Sequence, residues 1–113
     1  MKLNQYPQAI AKVEESLLNT TLDLECWQEE LYFLNGEIEL AIACDADLKN
    51  EQMRKAKRLE LQQQPDYLQI KNKAKEAKIN RDRLQIQVDL LRNQFSVAKL
   101  EARLRAASLE AAA

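Results

Sequence analysis

The sequence predicts an all-α protein, an elongated antiparallel helical hairpin in which a short helix connects two long ones. Three observations predict this fold class. The 113 residues include one Gly and two Pro, too few for the closely spaced turns of a β-sandwich or barrel. The residue types that favour helices, chiefly Leu, Ala, Glu, Lys, Gln and Arg, are enriched. Apolar residues recur at alternating steps of three and four in two segments, which is typical of helices packed along one stripe.

The first long helix is expected over about 7–45. Its apolar stripe begins at Leu3 and continues until Asp45 places a charge at the next core position. Pro7 suits the first turn, where its missing N–H costs no hydrogen bond. Gly36 lies in the middle of this helix at a cost of about 1 kcal/mol, which suggests close packing or a slight bend there.

The rest of the chain predicts two further helices. A short helix is expected over about 51–63, where helix propensity is good but the apolar stripe is poor; a continuation of the first helix is the alternative. The last helix is expected over about 66–107, because Pro65 disfavours helical geometry at Gln64. Residues 108–113 are expected to fray.

A chain of this length allows one domain, and we expect residues 1–113 to form a single hairpin that reverses near position 56. In this register Ile38 lies opposite Ala74 and Ile10 lies opposite Ala102, so that bulky residues meet small ones. The side chains predicted for the seam between the long helices are Leu17, Leu24, Trp27, Leu31, Leu34, Ile38, Ala74, Ala77, Leu84, Val88, Leu91 and Phe95.

Charge is divided unevenly along the chain. Residues 1–47 contain ten acidic and two basic side chains, whereas residues 48–113 contain fifteen basic and eight acidic ones. In the hairpin, the glutamates of the first helix are expected to neutralise the lysines at the start of the last. Arg81 occupies a seam position, and Glu29 or Glu30 is its expected partner.

A second apolar stripe lies roughly opposite the first on both long helices. A lone hairpin would leave this stripe in water, which monomers rarely tolerate. We therefore expect a homodimer that forms a four-helix bundle. The alternatives are that the middle helix covers this stripe or that a different protein binds to it. The residues predicted for this oligomer face are Leu18, Phe33, Leu40, Ile79, Ile86, Leu90, Val97 and Leu104.

The sequence offers no chemistry for an enzyme, so we expect no catalytic residue, no cofactor and no metal site. It has no His, which excludes the Ser-His-Asp triad and His-ligated zinc. Its single Gly excludes the Gly-rich loops that bind phosphates. Cys26 and Cys44 fall in one predicted helix, about 27 Å apart, and are expected to be reduced and buried. Without a signal peptide or membrane span, we expect a cytoplasmic protein and no membrane contact.

Nucleic acid is the alternative partner, because cationic side chains cluster at the expected tip of the hairpin. Only Tyr67 adds an aromatic ring to the basic stretch 49–83, so a stacking platform for single strands is missing. The residues predicted to contact nucleic acid or an acidic partner are Lys49, Arg54, Lys55, Lys57 and Arg58.

The segment from Leu48 to Ala56, followed by Asp66 and Tyr67, resembles a pattern in small, uncharacterised helical proteins of bacteriophages and prophages. Those proteins similarly place a long helix before this segment and a charged helix after it. The resemblance implies a phage-related cytoplasmic accessory protein, and it implies no activity and no site residues. Taken with the two apolar stripes, the sequence predicts a non-enzymatic coiled-coil interaction or scaffold protein that self-associates.

Overall fold

The computed structural model describes residues 1–112, which form three α-helices after a short 3-10 turn. The turn spans Leu3–Gln5 and is followed by α1 (Tyr6–Ala43), α2 (Glu51–Gln62) and α3 (Pro65–Ala112). None of these residues is in a β-strand. The prediction of an all-α protein is therefore confirmed.

The middle segment is a separate helix because α1 ends well before it. The chain is non-helical over residues 44–50, and Asn50 there has extended backbone angles, φ −146° and ψ 168°. The Asn50 Oδ1 atom accepts a hydrogen bond of 2.9 Å from the Met53 N–H, which satisfies one of the unpaired donors at the start of a helix. A helix that continues from α1 through α2 is excluded by this break.

The junction between α2 and α3 spans only two residues. The N–H groups of Gln63 and Gln64 donate to the carbonyls of Glu60 and Leu61 over 3.2 and 3.3 Å, closing α2 with tightened turns. Pro65 then occupies the first position of α3, where no N–H is needed. At its other end, α3 continues as a helix through residues 108–112, which were expected to fray, because Ala, Leu and Glu are strong helix formers. Ala113 lies outside the described residues.

Two compact units make up the fold. The central unit is Thr21–Ile79, and the terminal unit combines Met1–Thr20 with the chain from Asn80 onward. Each unit therefore contains a segment of α1 and a segment of α3.

The core of the central unit lies where α1 ends. Ile38, Ile42 and Tyr67 are its buried members. The apolar stripe of α1 moves from the expected Ala41, which is exposed, to the next residue, Ile42, which is only 4% exposed. The partly buried residues packed against this core are Leu31, Leu34, Leu48 and Leu61.

The α1 and α3 segments of the central unit run antiparallel. Asn35 Oδ1 accepts a 3.0 Å hydrogen bond from the Tyr67 hydroxyl, and Trp27, earlier in α1, lies beside Lys73, later in α3. Ile38 packs with Tyr67, two turns before the predicted Ala74. The predicted register is wrong because the chain reverses in the linker 44–50 rather than near position 56.

The segments of the terminal unit also run antiparallel. The rings of Tyr6 and Phe95 stack with centroids 5.4 Å apart, and the Arg92 guanidinium lies 3.0 Å from the Glu14 carboxylate. These two contacts bracket Ile10, which was expected opposite Ala102, so the predicted register is offset by about two turns here as well.

Candidate functional site

The side chains predicted for the seam lie away from solvent. Leu24 is 2% exposed and Val88 is fully buried, and the remaining ten are buried or half-buried. Trp27 is half-buried, and the ammonium of Lys73 lies 5.0 Å from the centroid of its ring, within the range of a cation–π interaction.

The eight residues predicted for the oligomer face are all exposed. Their exposed fractions range from 42% at Ile79 to 68% at Ile86. Leu22 and Tyr32 are exposed to the same extent or more, although the sequence prediction left them out. The signal for Leu22 was present in its spacing, because it lies one turn after Leu18 on the same side of α1.

Gly36 lies on the outward side of α1 in the central unit, between Phe33 and Leu40. Apart from the adjacent residues and the nearby backbone of the helix itself, no atom of the described chain lies within 4 Å of the position that a Cβ atom would occupy there. The expectation that Gly36 permits close packing within the chain is therefore wrong. With Tyr32, these residues instead line a shallow, mainly apolar cleft of about 480 Å³.

The outward side of α3 in the terminal unit is also apolar. Between Ile86 and Leu104 its exposed apolar residues are separated by four, seven, three and four positions, which keeps them on one side of the helix. The exposed apolar residues of this segment are Ile86, Leu90, Val97, Leu100, Leu104 and Leu109.

Arg58 makes the best-formed ion pair of the basic tip. Its Nε and Nη2 atoms donate to the two carboxylate oxygens of Glu39 over 2.5 and 3.1 Å. This two-pronged hydrogen bond lowers the pKa of Glu39 below its usual range and raises the pKa of Arg58, because each charge stabilises the other. The pair joins α1 to α2.

The other cations of the tip differ in their partners. Arg54 pairs with Glu51 at 3.5 Å, and Lys57 pairs with Glu60 at 3.6 Å, both within α2. Lys49 and Lys55 are exposed and form no ion pair with any of residues 1–112. Since three of the five predicted contact residues already have a carboxylate partner, the positive charge that the tip presents is smaller than the sequence suggests.

The expected neutralisation of the α3 lysines by the α1 glutamates is wrong. Lys71, Lys75 and Lys78 form no ion pair within residues 1–112, and Lys73 covers Trp27 instead. The reason is the register, since the end of α1 meets α2 before it meets α3. Arg81, for which a glutamate partner was expected, pairs at 3.0 Å with its neighbour Asp82.

Both cysteines are free and exposed, which corrects the expectation that they are buried. Cys26 lies on the outward side of α1, away from the buried Leu24, and Cys44 lies in the turn that follows α1.

Neither a metal site nor a membrane span is evident in the part of the chain that the structure describes. Across residues 1–112, no three His, Cys, Asp or Glu side chains are grouped to hold a metal ion. Over the same residues, no helix combines the length and the apolar character needed to cross a bilayer.

Comparison of the chain with protein-family models, curated proteins and solved structures finds no match. The resemblance of the segment from Leu48 to Ala56 to phage proteins stays a prediction.

Proposed function

We propose that this chain is a non-enzymatic coiled-coil interaction or scaffold protein that self-associates in the cytoplasm. The two long helices form an antiparallel hairpin, and two hairpins pair as a homodimer with a four-helix core. In this function the dimer holds its two copies, and the molecules bound at their ends, at a defined distance from each other.

The observation that carries the proposal is the exposure of the outward apolar residues. In the central unit, Phe33 is 64% exposed and Leu40 is 65% exposed. In the terminal unit, Ile86 is 68% exposed and Leu104 is 61% exposed. Each of these large side chains contributes about 1.5–3 kcal/mol when it is fully buried, so a second copy that covers them gains substantial free energy.

Unpaired charges also favour association. Lys71, Lys75 and Lys78 of the central unit lack carboxylate partners within residues 1–112, as do Glu29 and Glu30 of the same unit. Unpaired charges of both signs on one unit allow two copies to attract each other, and they disfavour partners whose charges do not match.

A basic accessory protein that binds nucleic acid through the tip is the alternative. Lys49 and Lys55 favour it, because both are exposed and free of carboxylate partners in the described chain. A gel-shift assay over a salt series tests it, since phosphate contacts weaken steeply as salt rises. We expect no shift at low salt; a shift that disappears with added salt would support the alternative.

The mass of the purified chain in solution tests self-association. Sedimentation equilibrium at micromolar concentration is expected to give twice the 13.1 kDa of one chain. Ile86→Lys places a charge on the outward stripe and is expected to give a helical monomer. Asn80→Lys is the matched control, because this exposed side chain lies about 120° away from Ile86 around the helix, and it is expected to leave the dimer intact.

A wild-type chain that is monomeric at these concentrations contradicts the proposal. Equal dissociation by the Ile86→Lys and Asn80→Lys variants would also contradict it, because that result would point to net charge rather than to the apolar stripe.

A further inference from the structure

The exposed stripe of α3 in the terminal unit has the spacing of a coiled-coil seam. Its residues are separated by steps of four, three, four, three and four, which keep them on one side of the helix, roughly opposite the buried Val88. Five of the six are apolar, and Asn93 is the single polar member. The seam consists of Ile86, Leu90, Asn93, Val97, Leu100 and Leu104.

We propose that this α3 seam pairs antiparallel with the α3 seam of a second copy, so that a two-fold axis crosses the helix near Phe95. The inference rests on the proposed self-association and identifies its interface and orientation. In an antiparallel pair about this axis, Ile86 of one copy faces Leu104 of the other, and Leu90 faces Leu100. Four of the five apolar residues of the seam thereby face apolar residues of the second copy, and Val97 of each copy faces Asn93 of the other.

Charge favours the antiparallel orientation. Asp89 and Arg103 lie on the same flank of the seam, and the two-fold axis brings Asp89 of each copy to Arg103 of the other. Arg103 forms no ion pair within residues 1–112. Asp89 accepts one hydrogen bond of 3.1 Å, from the Gln85 amide, and can accept another. Two opposite-charge pairs therefore flank the antiparallel interface.

A parallel pair lacks this complementarity. In a parallel coiled coil with the same seam, Asp89 faces Gln94 of the second copy and Arg103 faces Ser108. Arg83, which precedes the seam by one step, then faces its own equivalent. The parallel arrangement thus gains no ion pair at these positions and adds a repulsion between like charges.

Asn93 lies close to the two-fold axis. A polar residue within an apolar seam specifies alignment at a cost in stability. In the proposed pair the two Asn93 side chains lie on either side of the axis, about 6 Å apart along the helix, next to the Gln94 side chains. There the amide groups of Asn93 and Gln94 can hydrogen-bond to one another, which offsets the cost of placing Asn93 opposite Val97.

Cysteine cross-linking of the full-length chain tests the orientation. The two exposed native cysteines are first replaced in Cys26→Ser/Cys44→Ser, and Ile86→Cys or Leu104→Cys is then added. Under mild oxidation, neither chain alone is expected to cross-link, because equivalent positions lie about 27 Å apart in the antiparallel pair. An equimolar mixture of the two chains is expected to form a disulfide-linked heterodimer.

The cross-linking outcomes separate the inference from the proposed function. Homodimers from each chain alone, with no heterodimer from the mixture, would overturn the antiparallel orientation. A chain that is dimeric by mass but gives no cross-link in any combination would overturn the α3 interface and leave self-association standing. A monomeric chain would overturn both.

A charge exchange gives an independent test. Asp89→Arg and Arg103→Asp each convert two attractive pairs into repulsive ones, and each is expected to raise the dimer dissociation constant about tenfold. The double variant restores opposite charges and is expected to return the dissociation constant to within about threefold of wild type. Additive weakening in the double variant would contradict the pairing of these residues.

Discussion

Gly36 shows how a single residue can weaken a helix without contributing to its packing. It lies within α1 with open space where a side chain would be, and its φ is not positive. Neither a close contact nor an unusual backbone conformation within the chain therefore requires glycine at this position.

Gly36→Ala is expected to raise the free energy of unfolding by about 0.5–1 kcal/mol, because glycine loses more backbone entropy on folding than alanine does. Urea denaturation at low protein concentration measures the change. Ala41→Gly, at another exposed position of α1, is the reverse control and is expected to lower stability by a similar amount. A Gly36→Ala chain that is less stable than wild type at low protein concentration would contradict the open space found at this position.

Glu39 contributes a stability that depends on pH. Its pKa is lowered in the folded chain because Arg58 donates hydrogen bonds to the carboxylate. The ion pair therefore stabilises the fold above the ordinary pKa of glutamate, about 4.3, and this contribution is lost as the pH falls through the lowered pKa.

Glu39→Gln is expected to be less stable than wild type at pH 7, and the difference is expected to shrink as the pH falls from 5 towards 3. Urea midpoints for the two chains across this range measure it. A difference that stays constant down to pH 3 would contradict the role of the Glu39 charge.

At the scale of elements, the linker 44–50 determines which segments meet. It ends α1, and the Asn50 side chain then starts α2 through its hydrogen bond to Met53. The stretch of chain that packs on the end of α1 is therefore α2 and the start of α3.

Asn50→Ala is expected to lower the free energy of unfolding by about 1 kcal/mol, because the cap hydrogen bond to the Met53 N–H is lost. Asn50→Asp retains an acceptor at the same position and is expected to preserve stability. Thermal unfolding followed by circular dichroism distinguishes the two. Equal loss in both variants would mean that the Asn50 amide acts through some contact other than the cap.

The sequence predicts the helical stripes better than it predicts how they meet. Local spacing determines which side of a helix is apolar, so Leu24 and Val88 could be placed away from solvent and Ile86 on the opposite side. Register depends on where the chain reverses. The chain reverses in the linker, and the linker sequence has no apolar periodicity from which its conformation could be predicted. The ion pair of Arg58 with Glu39 was missed for the same reason, since the register determines which residues of neighbouring helices face each other.

At the scale of the whole molecule, the chain has two kinds of apolar residue that respond differently to mutation. Val88 is fully buried within the copy, whereas Val97, nine residues later in α3, is 54% exposed. The same substitution at these two positions therefore separates folding from association.

Val88→Ala is expected to lower the stability of each copy by about 2 kcal/mol at every protein concentration, because burial and packing are lost. Val97→Ala is expected to change the stability of an isolated copy by less than about 0.5 kcal/mol and to weaken only the dimer. Urea unfolding at several concentrations measures both. A concentration-independent loss in the Val97→Ala chain would place this side chain in the fold rather than at an interface.

The one tryptophan of the chain gives the central unit its own optical reporter. Trp27 is half-buried beneath the Lys73 ammonium, so its fluorescence emission shifts to longer wavelength when α1 and α3 separate there and water reaches the indole. The terminal unit has only Tyr6 and Phe95 as aromatic rings and contributes nothing to that emission. A melting curve recorded by indole fluorescence therefore follows the central unit, whereas a curve recorded by far-ultraviolet circular dichroism follows both units. A difference between the two midpoint temperatures measures how far the units unfold independently.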